Sequence, residues 1–356
     1  KCYQRKESDS ARVLASDGLA LVGQKLGSGI RRLVPTVREQ PEVILRAELS
    51  DVHMPSPLGH DQERWSFLTR DCPEEPGPES WYRDRDHGYL NFGRGFMGFE
   101  LLRQIMEDIR GARLRLGCLD LSWRGEPLLH PEILPILRYL GELIRAKHVA
   151  NSLRLQTDGR YLNSDLIDAL RGVPMTWVVD LDRGQGSGME LLRTHADPQH
   201  RVVALLRARD SVRVEDVMYQ YPGLEPVVGR RPSDGHALWV VREDSDHFQS
   251  NAAARERLEQ IALELGVPVE SGDESRPRRC VAVDQTPVIS WDGKIVLCPS
   301  DVQLQNRVGD LGDESFTSVW SGRELGLART QCETRGVPDR SLCRDCPMPW
   351  SPNHGS

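Results

Sequence analysis

No stretch of this 356-residue chain approaches the roughly 18–20 consecutive apolar residues needed to cross a bilayer, which excludes a membrane-spanning helix. An apolar N-terminal segment followed by a small-residue cleavage site is also missing, so nothing marks the chain for secretion, and the expected location is the cytoplasm. Net positive charge is lacking as well. The formal charge is −7, whereas a large nucleic-acid surface needs clustered Lys and Arg to neutralise phosphates. Arg276-Pro-Arg-Arg279 forms a local basic patch, but the other arginines are scattered among acids, which argues against nucleic acid as a partner. What is there is a globular composition, 38% hydrophobic and 28% charged. The length suits a body of about 250 residues with an appendage, because single cores stop growing near that size.

There are eight cysteines, and four of them lie between positions 298 and 346. In a reducing compartment a disulfide framework is disfavoured, and clustered cysteines point to metal binding.

Residues 1–41 are polar with scattered hydrophobes and read as an N-terminal extension. From Glu42 the pattern becomes a βα alternation. Val43–Leu49 reads as a buried strand, and Phe99, Leu102, Ile105, Met106 and Ile109 follow at helical spacing. Leu114–Leu121 is the next strand, and Ile133, Leu137, Leu140 and Ile144 mark the next helix. Further strands are expected at Ser152–Gln156, Thr176–Asp182, Arg201–Arg207 and Ala237–Arg242, with a last helix over Asn251–Leu265. Six βα units predict an α/β fold on a parallel sheet, either doubly wound or a partial barrel. In both, ligands bind at the C-terminal ends of the strands, so the loops there are where chemistry is to be sought. The loop from about 50 to 95 is far longer than the usual βα connection. Its His53, His60, Cys72 and His87 are irregularly spaced and read as solvated side chains rather than a metal site.

After the second strand comes Trp123-Arg-Gly-Glu-Pro-Leu-Leu-His-Pro131. Glu126 there can accept hydrogen bonds from a ligand ammonium, and Gly125 lets a ligand approach the backbone. Alternatively, Gly-Glu-Pro is simply a turn into a helix, with the carboxylate near the positive helix end. Arg94-Gly-Phe-Met97, Gly125-Glu-Pro-Leu-Leu-His-Pro131 and Thr157-Asp-Gly159, in that order, closely resemble motifs of the radical-SAM family. The resemblance covers about residues 42–268 and implies a partial (β/α)6 barrel. It carries binding of the amino group of S-adenosylmethionine (SAM) onto Gly125 and Glu126, and it places Thr157, Asp158 and Gly159 on the strand-end surface near that cofactor. The family's Cys-x3-Cys-x2-Cys, which holds its radical-generating cluster, has no counterpart: between Ser50 and Gly95 the sole cysteine is Cys72. One thiolate does not replace three, so reductive cleavage of SAM is not expected, and SAM itself loses the iron that anchors it in relatives.

In the C-terminal part Cys280, Cys298 in a Gly293-x4-Cys arrangement, and the pair Cys343-Arg-Asp-Cys346 form a candidate metal-ligand set. Ile289–Val296 reads as a β-hairpin with an Asp-Gly turn that presents Cys298. Four thiolates suit either a structural zinc or a four-iron cluster, and spacing does not separate the two. Cys280, Trp291-Asp-Gly-Lys-Ile-Val-Leu-Cys298, Val308-Gly-Asp-Leu-Gly-Asp-Glu-Ser-Phe316 and Cys343-x2-Cys346 resemble the SPASM or shorter twitch extension of radical-SAM enzymes. That resemblance implies a module over 277–356 with one auxiliary 4Fe-4S cluster, zinc being the alternative. Cys332 is then a spare thiol, Cys118 a core residue and Cys2 unassigned.

The resulting expectation is a radical-SAM/SPASM-like iron–sulfur protein without a radical-generating cluster. It would be a noncatalytic partner or substrate-binding subunit in a maturation or biosynthetic pathway, meeting an active radical-SAM paralogue or a peptide or protein substrate. One alternative is an enzyme using the barrel mouth and auxiliary cluster for altered, SAM-independent chemistry through Glu126, Asp158, Asp180 and Asp182. Another is a radical enzyme whose cluster is held unconventionally by Cys72 with Cys2 and Cys118.

Overall fold

The computed structural model describes residues 38–50, 95–184, 188–208, 213–229, 232, 235–242, 252–269, 280, 282–299, 301, 304–336, 338–340 and 343. The parallel part begins with β1 (Arg38–Ala47), α1 (Phe99–Gly111), β2 (Leu114–Asp120), a short 3-10 turn (Pro127–Leu129), α2 (Ile133–Arg145), β3 (Ala150–Thr157) and α3 (Ser164–Ala169). It continues with β4 (Met175–Asp180), α4 (Leu181–Gly184), α5 (Met189–His195), β5 (His200–Ala208), α6 (Val214–Gln220), β6 (Glu225–Val228), β7 (Ala237–Arg242) and α7 (Ala252–Leu265). The C-terminal part holds α8 (Ala282–Gln285), β8 (Val288–Ile289), β9 (Lys294–Val296), β10 (Arg307–Asp310), α9 (Phe316–Trp320) and α10 (Arg323–Arg335).

The ten strands among the described residues form one sheet in the order β10-β9-β8-β1-β2-β3-β4-β5-β7-β6. Every neighbouring pair from β8 through β6 is parallel, and only the β8–β9–β10 meander is antiparallel. The fold is thus mixed α/β on an open parallel sheet, resembling a partial barrel, with a C-terminal region joined to it. The six expected strands are all present. Two details differ. Residues 181–184 leave the sheet as the helical turn α4, which shortens the strand expected to run to Asp182, and a short strand, β6, adds to the far edge. Pro226 within β6 suits an edge, where a missing N–H costs no ladder bond on the open side.

Alternation along the strands divides the sheet into two faces. Val43, Leu45 and Ala47 of β1, with Leu49 just beyond it, belong to the main core together with Leu102, Ile105, Met106 and Ile109 of α1 and Ile136, Leu137 and Leu140 of α2. These helices form because their apolar residues recur at i, i+3, i+4 and i+7, which makes one buried stripe. The opposite face carries a smaller apolar cluster of Val178, Val203, Leu205 and Val241 with Trp239 against it. On its β1–β3 side that same face carries charge, because Arg46, Asp120 and Arg154 stand side by side in register.

The C-terminal part is hydrogen-bonded onto the first strand. Arg46 N–H donates to the Pro287 carbonyl at 3.0 Å, and Glu48 N–H donates to the Ile289 carbonyl at 2.9 Å. Since β8 runs parallel to β1, the turn that follows it lies at the C-terminal end of the sheet, where ligand sites of such folds are built. That turn covers Ser290–Gly293 and closes with Gly293 at φ +87°, a conformation that favours glycine. Among the described residues no helix is long and apolar enough to cross a membrane.

Candidate functional site

The strand ends carry the sequence-predicted residues, and they meet. Glu126 caps the 3-10 turn: its Oε1 accepts the Leu128 N–H at 3.0 Å and the Thr157 hydroxyl at 2.9 Å, while Oε2 accepts the Asp158 N–H at 2.8 Å. Gly-Glu-Pro after β2 and Thr-Asp-Gly after β3 are therefore one hydrogen-bonded unit. Thr157 Oγ1 in turn accepts the Gly159 N–H at 3.0 Å. Asp158 is turned away into a pair with Arg160, whose Nε donates to it at 2.9 Å. Gly159 has φ +81°, and a Cβ there would sit 2.9 Å from the Gly188 nitrogen, so the loop after β3 touches the start of α5 backbone to backbone. His130 fixes the far end of the Gly-Glu-Pro segment. Its Nδ1 accepts the Glu132 N–H at 3.0 Å, which leaves Nε2–H to donate to the Met97 carbonyl at 2.8 Å. The Arg-Gly-Phe-Met segment is thereby joined to the same surface. Met97 N–H also returns to the Leu49 carbonyl at 3.0 Å, so the chain re-enters at 95–97 beside the place where β1 ends.

Burial and the neighbouring Asp158 carboxylate push Glu126 up to about 8, against the three donors that favour its charged form. A carboxyl whose folded pKa is raised keeps its proton in the native state after the unfolded chain has released it. Its contribution to stability therefore falls as pH rises from the ordinary value of 4.5 through about 8, and is level above that. Measured against Glu126→Gln, which does not titrate, the wild-type chain is expected to lose relative stability across this window in urea titrations. A pH-independent difference would remove the raised pKa.

Glu48, and motif residues to which the sequence reading gave no role, organise the same mouth. Glu48, fully buried just beyond β1, accepts Arg124 Nε at 2.8 Å, an Arg124 terminal nitrogen at 2.6 Å and the Trp291 N–H at 3.1 Å. Trp123 carries the Arg124 guanidinium over its ring at 4.4 Å and donates its indole N–H to the Pro299 carbonyl at 2.7 Å. A Cβ on Gly95 would lie 2.2 Å from the Trp291 ring, so only glycine lets that ring settle there. No sequence signal marks Glu48 as the partner of Arg124, because the two are 76 positions apart.

Behind the mouth the inner face is charged and self-paired. Arg154 donates to Asp120 through Nε at 2.9 Å and a terminal nitrogen at 2.6 Å, while Arg46 approaches the same carboxylate oxygen at 3.5 Å. Burial lowers Arg46 despite Asp120; for Arg154 burial acts the same way but the close Asp120 contacts outweigh it and raise the pKa. Arg207 binds Asp180 at 3.0 Å and Asp182 at 3.1 Å. Asp180 and Asp182, candidates for altered chemistry, are thus partners of a buried guanidinium.

The cysteines are brought together in part. Cys280 N–H donates to the Gly336 carbonyl at 2.8 Å, and the Gly336 N–H closes α10 on the Cys332 carbonyl at 3.0 Å. The Cys332 thiol, only 1% exposed, is hydrogen-bonded to Cys280; this holds Cys280 at about 7 and pushes Cys332 up. Cys343 lies within electrostatic reach of Cys332, and Cys298 within reach of Arg46. Cys332, read from sequence as a spare thiol, sits against an expected ligand. Cys346, Cys2 and Cys72 lie outside the described residues, as do His53, His60 and His87. Among the described residues no group of three or more His, Cys, Asp or Glu side chains converges as a metal site. The donors that gather are thiols, which suit an iron–sulfur cluster and a zinc ion alike in donor chemistry.

Residues 280–347 match the SPASM family model, described as an iron–sulfur cluster-binding domain. No curated protein matches the chain. Among solved structures, BtrN in complex with AdoMet and 2-DOIA is 13% identical, with a TM-score of 0.41, over 81% of this chain and 86% of BtrN. Native anSMEcpe with bound AdoMet is 14% identical, with a TM-score of 0.45, over 80% of this chain and 82% of its own. Streptococcus suis SuiB bound to precursor peptide SuiA is 10% identical, with a TM-score of 0.47, over 80% of this chain and 66% of SuiB.

Proposed function

We propose that the chain is a radical-SAM-like SPASM protein that generates no radical of its own. In this reading it serves as a noncatalytic partner or substrate-binding subunit, meeting an active paralogue or a peptide or protein substrate in a maturation or biosynthetic pathway. The observation that carries the reading is the state of Glu126. In the family it resembles, that motif receives the amino group of SAM; here Leu128, Thr157 and Asp158 fill three of the roughly four acceptor positions of the carboxylate, and the side chain is buried. The single cysteine between Ser50 and Gly95 supports the same conclusion. Engagement of Asp180 and Asp182 by Arg207 gives altered, SAM-independent chemistry less support.

Cys280, Cys298, Cys343 and Cys346 are proposed to hold one auxiliary 4Fe-4S cluster. Such a group contributes folding free energy to its module and, where exposed to a partner, electron transfer. Gly125, Glu126, Thr157, Asp158 and Gly159 are proposed as a rigid strand-end surface rather than as a SAM cradle. The test is anaerobic incubation of the reconstituted chain with SAM and dithionite. No 5′-deoxyadenosine and no SAM retained on gel filtration are expected. Turnover to 5′-deoxyadenosine by the chain alone would contradict the proposal.

A further inference from the structure

The Gly-Glu-Pro loop and the peptide bearing Cys298 are physically joined, and the joint lies outside the ligand set. The indole N–H of Trp123 donates to the carbonyl of Pro299, the residue directly after Cys298, at 2.7 Å. The receiving turn carries hydrogen bonds of its own. Asp301 N–H returns to the Cys298 carbonyl at 3.0 Å, and the Asp301 carboxylate accepts Gln305 N–H at 2.9 Å and Asn306 N–H at 2.7 Å. One residue on, Arg124 clamps Glu48 through two side-chain bonds, and Glu48 reaches across to the Trp291 N–H in the hairpin turn that leads to Cys298. The loop thus grips the Cys298 hairpin at its turn and at its exit.

We propose that Trp123 and Arg124 are positioning residues for the C-terminal cluster: they hold the Cys298 hairpin in place through the strand-end loop, so cluster retention and order in residues 123–130 are coupled. This rests on the reading that Cys298 is a cluster ligand. Coupling of this kind is reciprocal: a loop that favours the loaded module is itself favoured by loading. A partner docking on the strand-end surface would then sense whether the cluster is present.

The experiment uses the full chain, reconstituted anaerobically with iron and sulfide. Trp123→Phe keeps the aromatic ring and removes the one indole hydrogen bond; Arg124→Lys keeps the charge and removes the two-pronged grip on Glu48. Asn163→Ala, which deletes an N-cap of α3 away from the joint, serves as the stability control. Iron release to a ferrous chelator is followed by absorbance, and amide exchange in 123–130 is followed before and after cluster removal. Trp123→Phe is expected to release iron about five-fold faster than wild type, the worth of one hydrogen bond, with Asn163→Ala at the wild-type rate. Cluster removal is expected to speed exchange at the Leu128, Leu129 and His130 amides. Equal release rates for wild type, Trp123→Phe and Arg124→Lys, or exchange indifferent to the cluster, overturn the coupling while leaving the noncatalytic reading intact. Formation of 5′-deoxyadenosine sinks the noncatalytic reading alone, and a wild-type chain that takes up no iron overturns both the coupling and the cluster.

Discussion

Arg124→Ala should destabilise the chain by about 3–5 kcal/mol, a large share of the 5–15 kcal/mol that holds a typical domain together. Glu48 is fully buried and the Arg124 side chain is 7% exposed, so removing the guanidinium leaves a carboxylate shut away from water. The Arg124 and Trp291 backbone N–H groups still reach it at 3.2 Å and 3.1 Å, but neither brings a countercharge. Replacing both partners with apolar or neutral groups of similar size removes the stranded charge, and buried pairs exchanged this way are often neutral in stability. Glu48→Gln combined with Arg124→Met is therefore expected to recover most of the loss in urea melts. A double variant as unstable as Arg124→Ala would mean that packing, not charge, sets the cost.

Asp120→Ala is expected to cost a similar 3–5 kcal/mol. Asp120 faces Arg154 at 2.6 Å and Arg46 at 3.5 Å, with side-chain exposures of only 3%, 7% and 14% in that order. It also accepts the Ser122 N–H at 3.1 Å, which starts the loop leading to Trp123. Its removal leaves two guanidinium groups buried side by side without the carboxylate they share. Adding Arg154→Met should restore stability, because one of the two like charges then goes. Failure of the second substitution to help would place the loss in the Ser122 turn instead.

The strands were legible for a simple reason. Parallel strands buried on both faces read as short apolar runs, as Val43–Leu49 and Ala237–Arg242 do, and the helices between them carry one apolar stripe each. β6 was not legible because Glu225-Pro-Val-Val228 is short and its half-exposed edge position imposes little pattern. The end of β4 misled because Asp180-Leu-Asp182 continues an alternation, although the backbone already turns to bring both carboxylates to Arg207. At the candidate site the motif words located Glu126, Thr157, Asp158 and Gly159, which the structure brings into contact. The same words did not show that Glu126 would be satisfied from within. The partners of Glu48 and Trp123 were invisible for a different reason: they lie 76 and 176 positions away, and no local spacing encodes such pairs. Cys332 falls outside every motif, and only the close of α10 beside Cys280 places it in the thiol group.

The central claim, one C-terminal cluster and none in the sheet mouth, is tested most directly by counting iron, sulfide and zinc per anaerobically reconstituted chain, with and without Cys280→Ser and Cys343→Ser. About four irons, lost in the variants and unchanged in Cys72→Ser, is the predicted result. About eight irons, with half retained in the C-terminal variants and lost in Cys72→Ser, would establish a second cluster near the strand ends and contradict the account.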